Sequence, residues 1–172
     1  MDEQRGRSSM TASFEEIERD FGPMVRRIAA SHEANRQLAE ELVQDIWLAL
    51  WRALPSFRGD SSLRTFVARI ATYRALTHVR RSARLPRLGE MSDHLPAPEP
   101  GPEQQAIGRD RDAKLLAAVR ALALPLRQVT LLTLEGLATQ EIAAVLGISA
   151  NAVAIRLSRA RDALRNQLGD PP

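Results

Sequence analysis

The 172-residue chain is expected to be all-α, with two small helical domains joined by a flexible, proline-rich linker. Three observations predict this. Apolar residues recur at helical spacing through most of the chain. β-Branched runs and period-two alternation, the marks of strands, are nearly absent. Residues 83–108, "ARLPRLGEMSDHLPAPEPGPEQQAIG", hold five prolines and three glycines but few large apolar side chains. The resulting boundaries are 10–82 for the first domain, 83–108 for the linker and 109–170 for the second.

The first helix starts after Ser13, because "SFEE" sets Ser13 and Glu16 three residues apart as a capping box. Phe14, Ile17, Phe21, Val25 and Ile28 continue one apolar face, with a break or kink expected at Gly22-Pro23. A long helix follows over about 35–54, "RQLAEELVQDIWLALWRAL", stopped by Pro55. Leu38, Leu42, Val43, Ile46, Trp47, Ala49, Leu50, Trp51, Ala53 and Leu54 cover most of its circumference. Such a helix belongs at the centre of its domain. Only a narrow strip is left for the surface: Gln37, Glu41, Gln44, Asp45, Leu48 and Arg52. Leu48 inside that acidic strip marks a protein partner, since a solvated strip gains nothing from it.

A loop, "SFRGDSS", leads to a helix over about 62–82. Its expected core face is Leu63, Phe66, Ile70, Tyr73 and Leu76, and Arg64, Arg74, His78 and Arg81 gather on a flank suited to phosphates. In the second domain, helices are expected at about 109–122, 126–135, 139–146 and 150–168. Pro125 suits a helix start, and Gly136 and Gly147 sit where left-handed C-terminal caps belong.

"TQEIAAVLGISANAV" then reads as a helix-turn-helix: Ile142, Ala143, Val145 and Leu146 form an apolar face. Gly147 permits the turn, Ile148 fills the corner and Ser149 caps the next helix. On that helix Ala150, Val153, Leu157, Ala160, Leu164 and Leu168 form the core side. The opposite side carries Asn151, Ile155, Ser158 and Asp162, flanked by Arg159 and Arg165. Ile155 at the centre of a polar face fits a major groove, where it can meet thymine methyls while Arg159 reads guanine or grips phosphate.

Composition narrows the function classes. The net charge is only +3, yet the basic residues are almost all arginine, Lys114 being the only lysine. Any nucleic-acid surface therefore arises from segregated charge and not from bulk charge. The absence of cysteine excludes disulfides and thiolate chemistry. His32, His78 and His94 are scattered without ligand spacing, and no phosphate-cradling glycine loop occurs. The expectations are no enzyme, no catalytic or metal site, no cofactor and no small-molecule substrate. The N-terminal "MDEQRGRSSMTASFEE" lacks a signal-peptide core and no apolar run reaches membrane-spanning length, so a cytoplasmic chain without membrane insertion is expected. Two alternatives stay open on these residues alone: a helix-turn-helix regulator that binds duplex DNA by itself, and a helical protein-interaction adaptor.

Three stretches in order carry a more specific resemblance: "ELVQDIWLALWR", "FRGDSSLRTFVARIATYRALTHVRR" and "ALPLRQVTLLTLEGLATQEIAAVLGISANAVAIRLSRARDAL". Together they resemble the extracytoplasmic-function (ECF, group IV) sigma factors of bacterial RNA polymerase. The resemblance implies an alternative sigma factor that binds core polymerase and directs promoter-specific initiation. The first domain would be sigma region 2, with Glu41, Gln44, Asp45, Leu48 and Arg52 on the clamp coiled coil of the largest polymerase subunit. Phe57, Arg58, Gly59, Asp60, Ser61 and Ser62 would capture a flipped −10 base, and Arg64, Arg69, Arg74 and Arg80 would hold the melted strand.

The second domain would be sigma region 4, meeting the polymerase flap region. Its Ser149, Asn151, Ala154, Ile155, Ser158 and Arg159 would face the −35 duplex. The linker would thread the polymerase channel. An anti-sigma factor, able to hold the chain at the inner membrane face, is implied as a further partner. The sequence departs from the family pattern at Phe66 (usually Trp), Tyr73 (often Asn), Ala152 (frequently Thr) and Ala154 (frequently Lys or Arg).

Overall fold

The computed structural model describes residues 13–83 and 113–168. Apart from Ala83, the connection expected at 83–108 lies outside the described residues, as do the start of the first expected domain, His94 and both ends of the second. The elements are α1 (Phe14–His32), α2 (Arg36–Ala53), a short 3-10 turn (Leu54–Ser56), α3 (Leu63–Ser82), α4 (residues 113–121), α5 (Leu124–Leu134), α6 (Thr139–Leu146) and α7 (Ala150–Leu168). All regular structure among the described residues is helical.

Side chains set the helix starts. The Ser13 amide donates to the Glu16 carboxylate at 2.8 Å and the Glu16 amide to the Ser13 hydroxyl at 3.2 Å, completing the capping box of α1. Asn35 and Ser62 cap α2 and α3 by accepting from the amides of Leu38 and Thr65. The expected break at Gly22-Pro23 does not occur, and α1 runs through Pro23 without interruption. Gly22 has no Cβ to clash with the proline ring, and Pro23 lies on an exposed face where water can take the carbonyl that loses its partner.

The first block packs α1, α2 and α3 against one another around Val25, Ile28, Leu42, Ile46, Leu50 and Val67. Two assignments on these helices are corrected. Trp51 is 61 % exposed, not part of the core. At 100° per residue it points only about 20° from Gln44, so it extends the outer strip. On α3, Tyr73 is 65 % exposed, and Leu63, Ile70 and Leu76 are only partly buried. The core face is instead made of Val67, Ala68, Ala71 and Ala75 together with Phe66. Small side chains let α3 approach α1 and α2 closely, a fit that a search for large apolar residues overlooks.

In the second block α5, α6 and α7 pack around Val129, Leu132, Ile142 and Val153. The Gly136 and Gly147 backbones adopt φ of 80° and 65°. Each turn then closes by a 6→1 bond, Leu137 to the Leu132 carbonyl and Ile148 to the Ala143 carbonyl, both 3.1 Å. Leu168, expected on the core side of α7, is exposed at the end of the helix. The two blocks do not stand apart: α3 packs on α6 and α1 on α5, and their apolar residues form one continuous cluster.

Candidate polymerase and nucleic-acid interfaces

On α2 the residues Glu41, Gln44, Asp45, Leu48 and Arg52 are all exposed along one strip. Leu48, 45 % exposed, and Trp51 one turn on form an apolar pair at the edge of the two carboxylates. Trp47, one turn before Trp51, meets the Phe14 ring edge-on at 5.8 Å, which fastens the helix onto α1. The strip therefore sits on a rigid support and offers an apolar anchor rimmed by negative charge.

The loop before α3 is built on aromatic packing. Phe57 lies against Phe66 with centroids 4.7 Å apart, and the Arg69 guanidinium stands 6.0 Å over the Phe66 ring. Gly59, with φ of 81°, turns the chain and leaves Arg58 and Asp60 exposed at the tip. Ser61 is half-buried and Ser62 caps α3. Arg64, Arg69 and Arg80 are exposed on α3, and Arg74 is half-buried. His78 is drawn away from the basic flank by Glu33, whose carboxylate lies 2.8 Å from Nε2.

Several of these groups meet the second block. The Arg64 guanidinium donates to the Glu135 backbone carbonyl at 2.6 Å. The Ser62 and Thr65 hydroxyls donate to the Glu141 carboxylate at 3.2 and 2.7 Å. Arg27 on α1 grips the Glu135 carboxylate with two bonds of 2.5 and 2.7 Å. Its positive charge is reinforced by the bond to Glu135 and held against the cost of desolvation. Glu141 is held below the usual carboxylate range, chiefly by the bond from the Ala138 amide and then by that from Thr65.

Arginines of the second block in turn cap the first. Arg120 donates to the Ala30 carbonyl at 2.6 Å and Arg127 to the Ser31 carbonyl at 3.2 Å. These are last-turn carbonyls of α1, which lack helical partners and carry the negative end of the helix dipole. Arg127 also donates to the backbone carbonyls of Arg120 and Leu122. Burial lowers the pKa of both guanidinium groups, Arg120 against the opposing pull of Glu33 and Arg127 with the added repulsion of Arg120.

α7 leaves α6 at 102°, within the range of helix-turn-helix pairs. The Ser149 hydroxyl accepts from the Ala152 amide at 3.1 Å and starts α7. Asn151, Ala154, Ile155, Ser158 and Arg159 are all exposed, and Ile155 is 46 % exposed although flanked by polar residues. The structure thus brings the expected −35 residues onto one face and the expected core-binding residues onto another. Of the −10 set, Ser62 and Arg64 are hydrogen-bonded to the second block.

Sequence reasoning missed Arg27, Glu135, Glu141, Arg120 and Arg127 as a group. Glu135 carried a signal: a carboxylate at the C-terminal end of a helix opposes the dipole and needs a cation. The partner that supplies it, 108 positions away, has no local signature.

Sigma-70 region 2 matches residues 19–85 and Sigma-70 region 4 matches residues 112–164. The chain is 32 % identical over 166 residues to the ECF RNA polymerase sigma factor SigE of Mycolicibacterium smegmatis, covering 95 % of this chain and 64 % of that protein. It is 34 % identical to the RNA polymerase sigma factor CnrH of Cupriavidus metallidurans, covering 84 % of each. It is 31 % identical to the ECF RNA polymerase sigma-E factor of Escherichia coli, covering 74 % and 72 %.

Among solved structures, CnrH in complex with the cytosolic domain of CnrY aligns with a TM-score of 0.66 at 26 % identity, covering 90 % of this chain and 86 % of that one. The sigma factor RpoE of Bartonella quintana, in complex with the anti-sigma factor NepR, shares the fold with a TM-score of 0.71 at 23 % identity, covering 92 % and 98 %. With both sigma regions in order on one helical fold, this chain belongs to the ECF RNA polymerase sigma factors, the alternative sigma factors of transcription initiation.

Proposed function

We propose that this chain is a dissociable promoter-specificity subunit, with region 2 over 10–82, a linker over 83–108 and region 4 over 109–170. The α2 strip of Glu41, Gln44, Asp45, Leu48 and Arg52 docks on the clamp coiled coil of core polymerase, with Trp51 widening the apolar anchor. The loop from Phe57 to Ser62 captures a −10 base, and Arg64, Arg69, Arg74 and Arg80 take its strand. The α7 face of Ser149, Asn151, Ala154, Ile155, Ser158 and Arg159 enters the −35 major groove. The protein is no enzyme in itself, acts in the cytoplasm and is held in check by an anti-sigma factor. A sigma factor with this fold, RpoE of Bartonella quintana, has been solved in complex with the anti-sigma factor NepR.

The observation that carries this reading is Leu48 and Trp51 exposed beside Glu41 and Asp45, on a helix whose other faces are packed. A DNA-binding regulator working without polymerase has no use for that anchor. The test is co-elution with purified core polymerase, followed by run-off transcription from an upstream region of its own genome. Asp45→Arg places a cation where the strip is acidic and is expected to abolish co-elution while the helix content stays unchanged. Undiminished association of the variant would refute the docking assignment.

A further inference from the structure

An open cavity of about 620 Å³ lies between the two blocks, within the range of roughly 300–1,000 Å³ typical of small-molecule sites. Its lining comes from α2, α3, α5, α6 and α7, so neither block builds it alone. Ala53, Ile70, Leu76, Val145 and Leu146 give it an aliphatic wall, and all five are only partly buried by the protein itself. Arg69 and Arg74 of α3 and Arg156 of α7 line the same space, and among the described residues no carboxylate does. Arg74 and Arg156 are half-buried, and among the described residues neither guanidinium has a hydrogen-bond or ion-pair partner.

Three cations around one aliphatic wall repel one another, and an anion seated there turns that repulsion into attraction. A nucleic-acid backbone brings the charge but no aliphatic body. A purely apolar guest brings the body but strips water from guanidiniums that it cannot pair. We infer that this cavity is a binding site for a small amphipathic anion, an aliphatic body carrying a carboxylate or phosphate head. The head takes Arg74 and Arg156, whose planar N–H donors suit such oxygens, and the body covers the aliphatic wall. Arg69, whose guanidinium stands over the Phe66 ring, adds its charge. Arg69 and Arg74 are shared with the proposed −10 set and Arg156 is not; the binding itself rests on no part of that reading.

The test is calorimetric titration of the full chain with decanoate and with decyl phosphate, each below its micellar concentration. Inorganic phosphate and decyltrimethylammonium are titrated beside them. One-to-one binding of at least one amphipathic anion is expected, about tenfold or more tighter than either control, since each control lacks one half of the match. The two anions separate a carboxylate-selective site from a phosphate-selective one.

Arg156→Gln removes a cation from the lining, and Ala144→Trp fills the space from an exposed position on α6. Neither residue is buried, and unchanged thermal unfolding shows that each variant is folded. Each is expected to weaken binding about tenfold, whereas Arg161→Gln, exposed on α7 and outside the cavity lining, shifts it by less than about twofold. Inorganic phosphate bound as tightly as decyl phosphate reduces the arginines to a general phosphate grip and overturns the inference. Equal binding of the cationic amphiphile reduces the cavity to an apolar surface and overturns it as well. So does the failure of both anions to bind, an equal loss in Arg161→Gln and Arg156→Gln, or undiminished affinity in Ala144→Trp. No polymerase or promoter enters the titration, so its failure and that of the sigma reading are distinguishable.

Discussion

Arg27→Ala should cost more than Glu135→Ala, although the two residues share one ion pair. The pair is lopsided: the Glu135 side chain is 3 % exposed and that of Arg27 is 58 % exposed. Removing Arg27 strands a buried carboxylate at the C-terminal end of α5, where the helix dipole repels it by roughly 0.3–1 kcal/mol. Breaking a fully buried pair costs about 3–5 kcal/mol, and the exposure of Arg27 brings the expected loss down to about 2–3 kcal/mol. Removing Glu135 instead returns a half-wet guanidinium to water and should cost only about 1 kcal/mol. The double variant should match Glu135→Ala, because Arg27 has little left to hold. Urea unfolding followed by circular dichroism gives the three differences from the midpoints, provided the slopes stay equal. If Glu135→Ala proves as costly as Arg27→Ala, or the double variant equals the sum of the singles, the buried-carboxylate argument is wrong.

Three further outcomes are expected. Gly147→Ala should lose about 1–2 kcal/mol from backbone strain alone, because φ is 65° and nothing lies within 4 Å of the added methyl; an unchanged melting temperature would contradict this. Arg159→Ala should weaken −35 duplex binding by about 1–3 kcal/mol if the guanidinium reads a base, and equal affinity in a promoter-binding assay would remove that role. The His32 ring is held below its ordinary pKa chiefly by burial, with the Ile28 carbonyl opposing and the Arg127 and His78 charges assisting. Below pH about 6.5 the unfolded chain therefore takes a proton that the folded chain refuses, and stability should fall with decreasing pH until the folded ring also titrates. His32→Leu should flatten that part of the urea-midpoint profile, and an equally steep profile would exclude His32 as its source.

The helices and both surface-facing motifs were legible because their signals are local. Capping at Ser13, the turn at Gly147 and the outward Ile155 each need only a few neighbouring residues. The errors came where side-chain size was taken for burial. Trp51 and Tyr73 are large and exposed, and the alanines of α3 are small and buried. Close helix packing rewards a missing side chain as readily as a large one, and no periodicity of large residues reports that. The contacts between blocks were illegible for a different reason. Arg27 with Glu135 and Thr65 with Glu141 join residues 108 and 76 positions apart, and each looks like an ordinary surface charge or hydroxyl in its own helix.

The side-chain bonds described above that tie the blocks together come from α1, α3, α4, α5 and α6 and the residues just beyond their ends. The face of α7 proposed to meet the promoter thus makes none of these bonds, while the opposite face is packed into the core by Val153 and Ala160. On the proposed reading, Asn151, Ile155, Ser158 and Arg159 can change without disturbing those bonds, so that promoter preference and fold stability are set by different residues.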